Sequence, residues 1–184
     1  MDMGAESYLR FLDGDNNGLA EIIRDYKDGL ILYLRSFAED IYQAEEFAED
    51  TFVKLVTNRP RFGNRSTFKT WLYAIGRNVA LDQARKRSRH REVSIDECPE
   101  IAEEISLERS YLLEEQKIRL HGAMKKLKAE YRQILWLIYF EDFTNREAAV
   151  VMKRSTHSVE TLVYRARLAL KKQLEKEGFH YEKL

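Results

Sequence analysis

Long stretches of the chain place apolar residues three and four apart, with few of the alternating runs that mark strands. The pattern predicts an all-α fold. Leu72, Ile75 and Val79 recur at helical spacing within a segment running from Phe68 to Arg87 and point to one core. Val159, Leu162, Val163, Ala166 and Leu170 do the same in a second segment that reaches about Leu174. Between them, residues 92–108 keep no sustained apolar face and contain Pro99, and so read as a linker. The division predicted is an amino-terminal helical domain over 1–91, a linker over 92–108 and a carboxy-terminal helical domain over 109–184. Pro60 falls in the loop-like run 58–66 of the first domain.

In the second domain, Thr144-Asn-Arg-Glu147 has the form of a capping box, in which a hydroxyl and a carboxylate satisfy the free donors of a helix start. A short helix through Ala148, Ala149, Val151 and Met152 should follow, then a polar turn at 153–157 and the longer segment, which is helix-turn-helix spacing. Opposite the apolar seam of that longer helix lie His157, Glu160, Thr161, Tyr164, Arg165, Lys171 and Lys172. Hydrogen-bonding groups come first and cations afterwards, an order suited to base edges and then phosphates.

Charge sharpens this picture. The chain has 31 Lys and Arg and 31 Asp and Glu, so its net charge is zero. The charges are nevertheless segregated: residues 1–58 hold five Lys/Arg against thirteen Asp/Glu, and 59–91 hold ten against one. The linker has seven acids and no base, and 109–184 have sixteen Lys/Arg against ten acids. Two basic blocks flanking an acidic connector are the electrostatic footprint of a nucleic-acid binder, even on a neutral chain. In the first block, Phe62, Phe68, Trp71 and Tyr73 alternate with Arg61, Arg65, Lys69 and Arg77, a composition able to stack on unpaired bases while neutralising phosphates. Core packing is the competing role for each aromatic. Trp71, Asn78 and Arg85, seven apart, form one stripe.

Other chemistries find little support. Asp13, Asp15, Asn17 and Gly18 begin like a calcium loop, but Arg24 stands where the bidentate glutamate should be, so a polar turn before a helix is expected. A di-metal carboxylate bundle needs Glu-x-x-His pairs, which His90, His121, His157 and His180 do not supply. No cofactor, metal or catalytic residue is predicted. The single Cys98 excludes an intramolecular disulfide and suits a reducing compartment, and the first thirty residues show neither a secretory signal nor a membrane span. A soluble, cytoplasmic protein without membrane insertion is expected.

Ser158-Val-Glu-Thr-Leu-Val-Tyr-Arg-Ala-Arg167 resembles the recognition-helix pattern in region four of RNA polymerase sigma factors, with its Arg-Ala-Arg ending retained. Glu160 and Leu162 depart from it, standing where basic residues are usual. The run Ser66 to Arg87, with Trp71-Leu-Tyr73, Arg77-Asn78 and Asp82 followed by basic residues, is similar to region two of the extracytoplasmic-function branch of the sigma-70 family. Ala44-Glu-Glu-Phe-Ala-Glu-Asp-Thr-Phe52 resembles that family's polymerase-binding segment, with Glu49 in place of Gln.

The resemblance spans most of 8–91 and 109–178 and implies a non-enzymatic initiation factor whose partners are core RNA polymerase and promoter DNA. It leaves room for a cognate anti-sigma factor. It implies minus-ten contacts by Arg61, Asn64, Arg65, Lys69, Trp71, Arg77, Asn78, Arg85, Lys86 and Arg87, with Arg89 and Arg91 as further backbone contacts. Minus-thirty-five contacts fall to His157, Ser158, Glu160, Thr161, Tyr164, Arg165 and Lys171. Glu45, Glu46, Glu49 and Asp50 would meet the polymerase clamp helices. The helix over 127–140 would pack on the flap, with Ile134, Leu135, Leu137 and Ile138 as core or contact. A helix-turn-helix regulator acting on duplex DNA alone, and a helical adaptor whose charges serve protein contacts, are the alternatives.

Overall fold

The computed structural model describes residues 2–90, 120 and 122–176, and no strand occurs among them. The helices are α1 (Met3–Leu12), α2 (Asn16–Leu34), a 3-10 turn (Arg35–Phe37), α3 (Ile41–Asn58), α4 (Phe68–His90), α5 (Ala129–Tyr139), α6 (Asn145–Met152) and α7 (Thr156–Lys176). The fold is all-α, as the apolar spacing predicts. The linker reading at 92–108, Cys98, Pro99, Arg91 and the side chain of Arg89 lie outside the described residues.

Short polar side chains set where the helices start. Asp2, Asp15, Asp40 and Thr144 each accept a backbone N–H at a helix amino terminus, and the Ser155 hydroxyl does so for α7. At the start of α4 the Thr67 hydroxyl accepts from the Thr70 N–H at 3.2 Å. Asp2 serves two helices at once, one carboxylate oxygen taking the Ala5 N–H at 3.2 Å and the other the Phe68 N–H at 2.6 Å. α3 ends on Arg59 in the left-handed region, followed by Pro60, which cannot continue a helix.

The Asp13–Gly18 turn is a helix connection, as expected. The Asp15 carboxylate accepts the Asn17 N–H at 3.0 Å and pairs with Arg10 at 3.2 Å, leaving it committed within the turn. Gly18 lets α1 and α2 approach closely, since a methyl there would strike the Ser7 carbonyl.

One apolar interior runs through both halves of the described chain. Tyr8, Ile22, Leu30, Tyr33, Phe47, Leu55 and Leu72 fill it between α1, α2, α3 and α4. Ile134, Leu137, Val151, Val159, Leu162 and Ala166 fill it between α5, α6 and α7. The halves are in contact: α6 packs along α4, and α5 packs on the 3-10 turn and α2. The Tyr73 and Phe143 rings meet across the boundary at 5.2 Å.

Candidate nucleic-acid interface

The carboxy-terminal unit has the predicted helix-turn-helix. Thr144 and Glu147 form the full capping box of α6, with the Glu147 carboxylate accepting the Thr144 N–H at 2.9 Å and the Thr144 hydroxyl accepting the Glu147 N–H at 3.2 Å. α6 closes on Lys153, whose φ of 53° is left-handed, and the chain turns into α7 within three residues.

On α7 the seam Val159, Leu162 and Ala166 is buried and Val163 and Leu170 are half-buried. His157, Glu160, Arg165 and Lys171 are exposed, Tyr164 is 65% exposed, and Ser158 and Thr161 are half-buried. Thr161 donates its hydroxyl to the His157 carbonyl at 3.1 Å. Glu160 lies 4.0 Å from His157, an ion pair when the imidazole is protonated. The flank of α7 is therefore a preformed, exposed polar surface on a buried seam. In α5, Ile134, Leu135 and Leu137 are core and Ile138 is half-buried.

α4 is built differently. Trp71 sits in a ring cluster, its centroid 5.3 Å from Tyr8, 5.2 Å from Phe62 and 5.6 Å from Phe68. The Tyr8 hydroxyl donates to the Pro60 carbonyl at 2.8 Å and ties down the loop before α4. Burial pushes the Tyr8 phenol pKa up, against the opposing pull of Arg59, so this donor stays protonated. On that loop Arg61, Asn64 and Arg65 are exposed, and Asn64 has a positive φ of 51°. Phe68 and Tyr73 are core, whereas Trp71 and Phe62 are half-buried.

Lys69 and Arg77 are half-buried. Lys69 reaches the Glu141 carboxylate and the Glu141 carbonyl, both at 2.8 Å. Among the described residues the buried Nε of Arg77 has no hydrogen-bond partner, and its guanidinium lies 6.0 Å from the Phe37 ring. Asn78 is half-buried. With Arg77 and Arg85 it lines one wall of a cleft whose other wall is Met152, Lys153 and Arg154. Arg85 and Lys86 are exposed, and Arg85 lies 3.5 Å from Asp82.

The acids of α3 are partly engaged. Glu46 and Glu49 are exposed, Glu45 and Asp50 half-buried. Asp50 accepts from Gln83 at 2.9 Å, and Glu46 lies 3.6 Å from Arg87, which also stands 5.6 Å over the Phe47 ring. The acidic flank and the basic end of α4 thus neutralise one another in part. Reading from sequence missed Glu141, Phe143 and Gly29, which act together where the units meet. The signal available was the apolar Phe143 inside a polar turn, and it did not say what Phe143 packs against.

The fold and this surface define a helical protein with two unequal basic surfaces, one of them a helix-turn-helix. Residues 22–90 match the Sigma-70 region 2 model and residues 117–170 the Sigma-70, region 4 model. The chain is 25% identical over 170 residues to the ECF RNA polymerase sigma factor SigW of Bacillus subtilis, covering 88% of this chain and 91% of that one. It is 28% identical over 172 residues to the RNA polymerase sigma-H factor of Pseudomonas aeruginosa, covering 88% and 89%. Among solved structures, the sigma factor RpoE in complex with the anti-sigma factor NepR from Bartonella quintana aligns with a TM-score of 0.65 at 23% identity, covering 85% and 96%. CnrH in complex with the cytosolic domain of CnrY aligns at 0.63 and 22%, covering 95% and 96%. The chain belongs to the sigma-70 family, in its extracytoplasmic-function branch. Its role is that of a sigma factor, which binds RNA polymerase for transcription initiation. No helix among the described residues is long and apolar enough to cross a membrane.

Proposed function

We propose that the two basic surfaces divide promoter recognition, α7 reading the minus-thirty-five element as duplex and α4 with its preceding loop holding the minus-ten element. The observation that carries the division is the open polar flank of α7, where His157, Glu160, Tyr164 and Arg165 project from a buried seam behind a capped α6. Such a helix can enter a major groove without rearrangement. On the other surface Arg61, Asn64, Arg65, Asn78, Arg85, Lys86 and Arg87 combine phosphate-neutralising cations with amide groups for a base edge. Trp71 shapes that surface by fixing the loop through Phe62 and Tyr8. The acidic flank of α3, with Glu45, Glu46, Glu49 and Asp50, is the contact for a cationic surface of the polymerase.

The chain performs no covalent catalysis and works in the cytoplasm. Residues 1–91 and 109–184 serve as its two functional units, joined by 92–108. The structure of the similar sigma factor RpoE with the anti-sigma factor NepR supports a partner of that class here. Purified core RNA polymerase tests the proposal. The expected result is start-site-specific transcription that needs both proteins, and loss of core association on reversing Glu46 and Asp50 to Lys. Tight duplex binding without polymerase, and no transcription with it, would make the chain a simple regulator.

A further inference from the structure

Charges are matched near the start of α4 and mismatched farther along it. Lys69 pairs with Glu141, whose carboxylate enters a notch left by the missing side chain of Gly29 on α2. Beyond them, Arg77, Asn78 and Arg85 form one wall of a cleft of about 660 Å³, and Lys153 and Arg154 stand on the other. Asp82 is the one acid on the lining and lies 3.5 Å from Arg85, while Arg154 pairs with Glu130, which is not on the lining. Among the described residues no carboxylate pairs with Arg77 or Lys153. Arg77 is fixed from behind by the Phe37 ring, and neither its buried Nε nor the buried Tyr33 hydroxyl has a hydrogen-bond partner among the described residues. Burial pushes the Tyr33 phenol pKa up, against the pull of Arg77, so the hydroxyl stays neutral and gives the guanidinium no counter-charge.

Cations on both walls of one cleft repel one another, and a half-buried guanidinium without a counter-ion is costly to keep. An anion seated between the walls relieves both. The guanidinium fork of Arg77 matches the geometry of phosphate oxygens, and the Lys153 ammonium brings a point charge from the facing wall. A ligand that must satisfy both walls needs several charges in a compact form, which a chain of phosphates has and a single carboxylate lacks. We propose that this cleft binds an oligophosphate, inorganic or carried by a nucleotide, with Arg77 and Lys153 as its contacts from opposite walls. Asn78 supplies an amide that can donate and accept, and Leu81 and Met152 supply apolar surface, the complement of a nucleoside attached to the phosphates. On the promoter reading the same wall of α4 takes the minus-ten strand, so ligand and strand exclude one another there.

Isothermal titration calorimetry of the full chain tests the site, with inorganic tripolyphosphate and adenosine triphosphate as metal-free ligands in about 0.15 M salt, where attraction between exposed charges is largely screened. The wild type should bind tripolyphosphate saturably, one to a chain. Arg77→Gln and Lys153→Gln should each weaken binding about tenfold or more, the loss expected when a charged hydrogen-bonding partner is removed. Lys176→Gln, at the exposed end of α7, should change it less than about twofold. Lys153 is exposed, so its replacement tests the site even if Arg77→Gln disturbs the fold. Tighter binding of adenosine triphosphate that falls to the tripolyphosphate level in Asn78→Ala would support a nucleotide held beside Asn78, and equal binding of the two ligands would support a site for phosphates alone. No saturable binding by the wild type, or equal weakening in Lys153→Gln and Lys176→Gln, would overturn the site. The titration contains neither DNA nor polymerase, so that result leaves the promoter reading standing; the promoter reading fails separately if core polymerase and the wild type give no specific transcription.

Discussion

α4 and α7 are both long helices bearing cations, yet they stand in opposite relations to the rest of the molecule. α7 buries one seam and presents an exposed flank, on which Glu160 pairs with His157 of its own helix. On α4 several candidate residues are committed to protein contacts: Trp71 to three rings, Lys69 to Glu141, Arg77 beside Phe37, Arg87 to Glu46. On the proposed division of the promoter, the difference follows from what each helix reads. A duplex groove can be met by a preformed face, whereas unstacked bases need a surface made available as the duplex opens.

The comparison can be broken first at Asp2. One carboxylate caps both α1 and α4, and its bonds are charge-assisted. Asp2→Ala should lower unfolding free energy by about 1–3 kcal/mol in urea titration, with the aromatic cluster loosened. A loss under about 0.5 kcal/mol would mean that the Thr67 cap and packing hold the start of α4 without Asp2.

Glu147 sharpens the comparison at the boundary. Burial pushes its carboxyl up, but hydrogen bonds from the Thr144 backbone and hydroxyl and from Thr67 and Thr70 outweigh this and hold it below the usual carboxylate value of 4.5. A carboxyl lowered in the folded state stabilises the fold above its unfolded pKa, and that contribution is lost as pH falls through the lower folded value. Glu147→Ala should therefore cost about 1 kcal/mol at pH 7, and the gap from wild type should close as the solution is acidified below 4.5. An equal gap at both ends of that titration would refute the hydrogen-bonded role.

The smallest effect concerns the turn before α7. Lys153 holds a left-handed conformation that glycine adopts without strain. Lys153→Gly should stabilise the carboxy-terminal unit by about 0.5–1 kcal/mol by thermal melting. Destabilisation would mean that the Lys153 side chain supports the turn.

Much of this was legible in sequence. The capping box, the helix-turn-helix spacing and the seam of α7 were readable because they depend on residues three and four apart. The aromatic and basic composition of α4 located a surface but could not sort it, since Phe68 and Tyr73 are core while Trp71 is half-buried, and alternation of residue types does not encode burial. Glu141 was illegible for a different reason. Its partners Lys69 and Gly29 lie far away in the chain, and only the packing of α5 and α6 on α2 and α4 brings them together.

Promoter selection tests the division of labour between the two helices most directly. A library with both promoter elements randomised would be transcribed by core polymerase with wild type, Asn78→Ala and Glu160→Gln, and the starting templates sequenced. Asn78→Ala should relax one minus-ten position and leave the minus-thirty-five preferences intact. Glu160→Gln should relax one minus-thirty-five position by a base-contact discrimination of about 1–3 kcal/mol and leave the minus-ten preferences intact. Identical preferences for all three proteins, or a change at the opposite element, would contradict the assignment of α4 and α7.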